Sequence, residues 1–585
     1  MTLIKEINEI FLNAFKKAEY EVEGNIVKKS DRPDLSQFQC NSAFELARKY
    51  RDNPRNIATK VLENIEENDK IQAVTVEGPG FINIVVKDEY IAEKINENAE
   101  NIRLGKKIMI DYGGPNVAKP LHVGHLRSAI IGEGLKRLAK KLGNEVIGDI
   151  HLGDWGRQMG LVICEIKERM PDLVYFDENY TGEYPEESPV TAKELEEIYP
   201  VANMKAKEDE AKMEEAREAT AVLQNVDRVG HRGYYALWQR LVQVSINEMK
   251  KDYNRLNVEF DLWKGESDSN DTIPEVIEFF NQKGLLQESQ GATIMEVTEE
   301  TDTAPVPPVI VRTQNDSVGY QATDLATIME RMRNYNPDEI WYVVDARQSL
   351  HFKQIFRAAY KSELVPSTTK LEFFGFGTMN GKDGKPFKTR DGGVMRLTQL
   401  LDTAKQVARE KITDEKFAGY SEQEKEEIAE IIAMASIKYA DAISDRLTDY
   451  IFDVDKFTEA QGKTGPYMLY STVRIKSLIA KAQELGIDCD GSVLAPNTDI
   501  ERQLMLKMLE KNEMLMSAYN AKSLTEIAEY LYELNSLYSN FYNNNKILIE
   551  ENEEKRQSWI SLSKKVKEIN EELLDILSIK VPERM

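Results

Sequence analysis

Residues 108 to 128 read IMIDYGGPNVAKPLHVGHLRS, and the chain runs on through AIIGEGLKRLAKKLGN into EVIGDIHLGDWG at 145 to 156. An apolar run of strand length passes into a Gly/Pro/Asn loop, then into apolar positions at helical spacing, then into a second β-branched run. That order describes a strand, a loop, a helix and a second strand. His122 and His125 stand three apart at the start of the helix, so they point the same way beside backbone N–H groups with no partner inside the helix. Such a place suits an anion. Gly124 between them carries no side chain, which lets a planar ring lie close to the backbone. An HxGH pattern alone is a weak signal, since a lone histidine is commonly a satisfied structural residue. The strand before it and the helix after it supply the context.

Working outward, strand-like and helix-like segments alternate from about 106 to 400, as a parallel α/β sheet would. A nucleotide site is then expected at the carboxyl ends of the strands. Between about 157 and 260 the alternation breaks into a Tyr/Pro/Glu-rich loop and the charged helical run AKELEEIYPVANMKAKEDEAKMEEAREATAVL. This reads as a helical insertion whose acidic run is a solvated face. The sheet is expected to resume with TIPEVIEFFNQKGLL, PPVIVRTQ and SVGYQATDLATIMERMRNYNPDEIWYVVDARQSLHFKQIF, in which IWYVV is a strand. Tyr320 and Asp324 lie one turn apart at a strand-to-helix junction, and Gln348 and His351 follow IWYVV. Each has a bland alternative: Asp324 as a helix N-terminal cap, Gln348 and His351 as loop polars. A glycine-rich loop with Lys385, Lys388 and Arg390 can close over phosphates, or can be a solvated hairpin turn.

The flanks differ in kind. Residues 1 to about 105 read as a small α/β module: an amphipathic first helix, a helical AFELARKYRDNPRNIATKVLENI, and two short strands around Gly78-Pro79-Gly80. From about 401 to the end the pattern is helical. Pro466 opens one helix, and Tyr467 and Tyr470 lie one turn apart on it, with Tyr542 on a later one. These tyrosines are either core-edge residues with a wet hydroxyl or a platform for unpaired bases.

At 585 residues the chain is too long for one core. No signal pattern or bilayer-length apolar stretch appears, so a cytoplasmic protein without membrane contact is expected. Cys40, Cys164 and Cys489 are far apart and form no CxxC pair, which suggests neither a disulfide framework nor a zinc site. The formal net charge of −24 argues against a polyanion partner on average. Local basic faces can survive it, with Arg474, Lys476 and Lys481 as one candidate and Arg556, Lys564, Lys565 and Lys567 as another.

PNVAKPLHVGHLRS, GDWGRQMG, GYQATD, DARQSLH and TGPYMLYSTVRI, taken in this order, resemble a class I arginyl-tRNA synthetase. NPRNIATKV and EGPGFIN resemble that family's extra N-terminal domain, which meets the tRNA elbow. The closing helices resemble its anticodon-binding domain, and the terminal VPERM fits its end. The resemblance implies a multidomain fold: a Rossmann-type parallel-sheet catalytic domain with a helical insertion, a small N-terminal α/β domain and a C-terminal helical bundle. It implies that His122, Gly124 and His125 bind ATP. Gly114, Asn116 and Gln348 would hold the α-amino and carboxyl end of arginine, with His125 nearby. Tyr320, Asp324 and Glu266 would meet the guanidinium, with Asp111 close to the pocket. A planar cation with five donors calls for carboxylates and an aromatic hydroxyl, and lysine would fit poorly. Tyr467, Tyr470, Tyr542 and Met585 would face the anticodon.

The family's KMSKS loop is represented here by KPFKTR at 385 to 390. Lys388 is out of strict register with the usual second lysine. Members lacking that lysine carry one just before the HIGH motif, here Lys119, which becomes the expected principal phosphate cation, assisted by Lys385, Lys388 and Arg390. The implied partners are tRNA(Arg), L-arginine and ATP, with magnesium accompanying ATP, no prosthetic group, no protein-held metal and a monomeric enzyme. The family generally activates arginine only with tRNA bound, and has no editing domain. Two other classes remain open at this point. A small-molecule nucleotidylyltransferase shares the HxGH helix start but has no use for the helical C-terminal region. A non-catalytic tRNA-binding relative would have lost the ATP residues that this chain keeps.

Overall fold

The computed structural model describes the chain except for residues 1, 33–34, 98–101, 225–231, 315–317, 388–394, 414 and 416. At its centre are five parallel strands: β1 (Lys107–Tyr112), β2 (Glu145–Leu152), β3 (Leu262–Gly265), β4 (Glu339–Asp345) and β5 (Lys370–Phe376). They lie in the order β5-β4-β1-β2-β3. Strand order therefore reverses between β1 and β4, and their carboxyl ends open a crevice at that switch point.

Period-two alternation assigns the faces of the sheet. Ile108, Ile110 and Tyr112 pack into one core and Met109 into the other; Trp341 and Val343 share the first, Ile340 and Tyr342 the second. Helix α1 (Val123–Lys141) covers the first face so closely that a Cβ at Gly132 would run into the Tyr112 ring. The insertion includes helix α2 (Ala192–Glu208), and α3 (Tyr320–Tyr335) and α4 (Ser349–Lys361) cover the second face.

Three local expectations are corrected. The charged run of the insertion is two helices, because Asp209 leaves helical geometry and caps the next helix, Glu210–Leu223, by accepting from Ala211 N. The helical segment after Asn41 is likewise broken. Arg51 adopts a left-handed φ of 53°, and Asn53 caps a new helix, Pro54–Leu62, that opens on proline. The strand within PPVIVRTQ, Val309–Arg312, does not join the parallel sheet. It pairs antiparallel with Ala292–Met295 in a separate three-stranded sheet, because that neighbouring strand meets its hydrogen-bonding needs.

The N-terminal module is a four-stranded antiparallel sheet backed by helices, and the hairpin Ile71–Glu77 to Phe81–Val86 turns at 78 to 80 as expected. Beyond Leu397 the chain is mainly helical. Among the described residues no helix is long and apolar enough to cross a membrane, and Cys40, Cys164 and Cys489 are free.

Candidate active site

His122 is the N-cap of α1 and makes a reciprocal cap with His125. His122 Nδ1 accepts from Gly124 N at 3.0 Å, and His125 Nδ1 accepts from His122 N at 3.1 Å. A neutral imidazole that accepts at Nδ1 carries its proton on Nε2, so both rings present an Nε2–H donor. The rings stack with centroids 3.8 Å apart. Burial lowers the pKa of both rings, with Lys119 adding to the effect, and it carries that of His125 to about 3. The first N–H groups of α1 are already engaged, by Met395 O, by His122 Nδ1 and by His122 O, so the neutral histidines and their Nε2–H donors form the anion-facing end of the crevice. A Cβ at Gly124 would stand 2.7 Å from His122 Cε1, so the planar ring that uses this glycine is His122's own.

The cationic residues are dispersed. Lys119 Nζ lies 4.6 Å from the centre of the Tyr199 ring on α2. Lys385 is exposed at the base of a hairpin where Gly381 N donates to Lys385 O. Lys388 and Arg390 lie outside the described residues. Farther along the chain, Met395 and Leu397 are tied to the HxGH segment: Val123 N donates to Met395 O at 3.1 Å, and Leu397 N to Leu121 O at 2.8 Å.

The other end of the crevice is acidic. Tyr320 and Asp324 lie one turn apart on α3, and Glu266 follows β3 directly. Asp324 lies inside the helix, whose cap is Gly319, so the capping alternative is set aside. Burial pushes the Glu266 carboxyl up, and the carboxylates of Asp154 and Asp324 push in the same direction. His151, at the end of β2, opposes that shift, although neither of its ring nitrogens has a hydrogen-bond partner. Gly114 and Asn116 sit beyond β1. A Cβ at Gly114 would be 2.9 Å from His151 O, and Asn116 pairs in parallel with Gly153. Gln348 is exposed at the carboxyl end of β4 and leads into α4.

Asp111 faces inward instead. Its carboxylate accepts from Arg331 at 2.6 Å, and the same guanidinium nitrogen donates to Asp149 at 2.7 Å, which locks β1 to β2 below the pocket. His351 received no role from the family pattern, yet its Nε2 meets Asp324 Oδ2 at 2.6 Å and its ring stacks on Tyr320 at 5.1 Å. The available signal was spacing: His351 is one turn beyond Gln348 and therefore on the face of α4 that follows the pocket loop.

In the helical region Tyr470 and Tyr542 flank one guanidinium, and Tyr467 is linked to it through Ser539. Arg474 lies 5.6 Å from the Tyr470 ring and 4.7 Å from Tyr542, and it donates to Ser539 Oγ at 2.8 Å. Tyr467 OH shares that Ser539 hydroxyl at 3.3 Å. Tyr470 is exposed and Tyr467 half-buried, while Met585 packs against the core. Half of the second basic group is neutralised, since Lys564 pairs with Asp490 and Lys567 with Glu571.

Comparison with known proteins agrees with this architecture. The model for the class I (R) tRNA synthetase catalytic domain matches residues 88–454, that for the DALR anticodon binding domain 468–585, and that for the arginyl tRNA synthetase N terminal domain 3–86. The chain is 46% identical over 590 residues to the arginine–tRNA ligase of Alkaliphilus oremlandii, and 46% identical to that of Agathobacter rectalis; each alignment covers 100% of both chains. The arginyl-tRNA synthetase of Plasmodium falciparum superposes with a TM-score of 0.81 at 25% identity, over 100% of this chain and 99% of that one. The Thermus thermophilus arginyl-tRNA synthetase shares the fold, with a TM-score of 0.79 at 20% identity over 100% of both chains. With crevice, motif order and full-length similarity in agreement, the chain belongs to the class I arginyl-tRNA synthetases.

Proposed function

We propose that the crevice activates L-arginine with ATP and passes the arginyl group to the 3′ end of tRNA(Arg), the two reactants meeting at the β1–β4 switch point. The observation that carries the residue assignment is a crevice with two unlike ends, a neutral, capped histidine pair at the start of α1 and the half-buried carboxylate of Glu266 after β3, its pKa raised by burial and by Asp324. Glu266, Asp324 and Tyr320 take the guanidinium, whose five donors in a fixed fork match them and whose charge offsets their crowding. Gly114, Asn116 and Gln348 hold the α-amino and carboxyl groups, with Asp111 supporting the pocket through Arg331. The arginine carboxylate then attacks the α-phosphorus in line and pyrophosphate leaves. The Nε2–H groups of His122 and His125 donate to phosphate oxygens. Lys119, assisted by Lys385, Lys388 and Arg390, offsets charge on the departing pyrophosphate. Magnesium enters bound to ATP, and no prosthetic group is needed.

In the second step a ribose hydroxyl of the terminal tRNA nucleotide attacks the arginyl carbonyl, and AMP departs. Residues 1 to 105 serve the tRNA elbow, 106 to 400 the chemistry, with the insertion at about 157 to 260, and 401 to 585 the anticodon. The Tyr467, Tyr470 and Tyr542 cluster offers it stacking faces, with Met585 at the edge. The enzyme works as a monomer in the cytoplasm. ATP–pyrophosphate exchange with each standard amino acid, with and without total tRNA, tests the reading. Exchange with arginine alone, and only when tRNA is present, is the expected result. Exchange with another amino acid, or with none, overturns the substrate assignment; arginine exchange without tRNA removes only the coupling.

A further inference from the structure

The insertion has no part in the chemistry described so far, yet one face of its helix α2 meets both sides of the HxGH segment. Glu196 and Tyr199 are three apart on α2 and so share a face. Tyr199 carries the Lys119 ammonium over its ring at 4.6 Å, and Glu196 pairs with Arg396 at 2.5 Å. Lys119 precedes His122 by three residues, and Arg396 pairs with His122 in an antiparallel bridge. The two cations on either side of the α1 cap are thus held from one helix turn.

The backbone agrees with that arrangement. Ala118 adopts a left-handed φ of 63°, a conformation costly for a residue with a side chain, and its N–H donates to Ser245 Oγ of the insertion at 3.3 Å. The strained residue sets the direction in which Lys119 leaves the chain. A cleft of about 40 Å3 lined by Lys119, Leu121, Glu196, Asp252 and Thr398 lies between the insertion and the cap, so this contact is not a filled core.

We propose that α2 is a positioning element for the ATP site: Tyr199 presents Lys119, and Glu196 fixes Arg396 and through it the strand beside His122. This rests on the reading of Lys119 as the phosphate cation. Tyr199 needs only an aromatic face for the task, since a cation is attracted by the ring and not by the hydroxyl. The insertion therefore tunes ATP use and leaves arginine recognition alone.

The test is pyrophosphate exchange in full-length Lys119→Met, Tyr199→Leu, Tyr199→Phe, Glu196→Gln and the double variant Lys119→Met/Tyr199→Leu, with ATP and arginine varied in turn. Lys119→Met should raise the KM for ATP about tenfold or more. Tyr199→Leu should raise it about threefold to tenfold with arginine KM unchanged, and Tyr199→Phe should restore it. Glu196→Gln should raise it about twofold to fivefold. The double variant should match Lys119→Met alone, because Tyr199 acts through that lysine. Multiplying effects in the double variant, equal shifts in both KM values, or failure of Tyr199→Phe to restore ATP use would overturn the proposal as a structural effect. An inert Lys119→Met would instead remove the reading of Lys119 on which it rests; an effective Lys119→Met beside an inert Tyr199→Leu would remove the role of α2 alone.

Discussion

At the phosphate end of the crevice the polar groups have already found partners: His122 and His125 cap one another and are held neutral by burial. At the arginine end Glu266 is half-buried close to Asp154 and Asp324, and its ionised form is disfavoured until a cation arrives. The first end is completed by the fold and offers donors fixed in direction. The second is left electrostatically incomplete and is finished by its ligand. An anion that carries its own metal needs oriented donors more than added charge, whereas a guanidinium needs carboxylates around it.

The comparison can be broken most severely at the phosphate end. His122→Ala removes both an Nε2–H donor and the cap of α1, and is expected to slow pyrophosphate exchange by about 10²- to 10³-fold. An unchanged rate would mean that the capped pair does no chemistry. At the other end Asp324→Asn should raise the KM for arginine about 10- to 100-fold while sparing that for ATP. Equal changes in both constants would erase the division of labour.

pH sharpens the contrast more gently. With the pKa values of both histidines lowered, the KM for ATP should stay flat as pH falls through the ordinary histidine range. The KM for arginine should climb on acidification, and begin to do so above the usual carboxylate range, because Glu266 takes up its proton early. The same shift has a small effect on stability. The folded-state value of Glu266 lies above its unfolded one, so its contribution to stability is present at low pH and is lost as pH rises through the raised value. Glu266→Gln stays neutral and should raise the onset of thermal unfolding at neutral pH even as it weakens arginine binding. A fall in that onset would show that the carboxylate is structurally satisfied.

How much of this could be read beforehand depends on how far apart the cooperating residues lie. The HxGH cap is local, and strand, loop and helix are all written within 108 to 156, so its geometry followed from spacing. Tyr320 and Asp324 were legible as one helical turn. His351 was not assigned, because its partner is 27 residues away and only the packing of α4 on α3 joins them. Arg331 looks like an ordinary helix residue until β1 and β2 bring Asp111 and Asp149 to it. The strand at 309 to 312 was placed in the wrong sheet for a related reason: an apolar run states that a strand exists, not which neighbour pairs with it.

The early part of the chain, through the helix Asp88–Asn96 that follows the antiparallel sheet, docks on a segment made much later. Arg502 grips Asp88 through two hydrogen bonds of 2.7 and 2.6 Å, and Asn96 exchanges a reciprocal pair with Val493 at 2.8 and 2.9 Å. Asp88 and Arg502 are 414 positions apart. At about 5–20 residues per second, a ribosome needs roughly 20 to 80 s to travel between them. Throughout that interval the docking face of the first-made module waits without its partner, so its own antiparallel sheet and helices must keep it folded during synthesis. A nascent chain stalled before Val493 would carry that face uncovered, and would be open there to chaperones and proteases that the finished enzyme excludes.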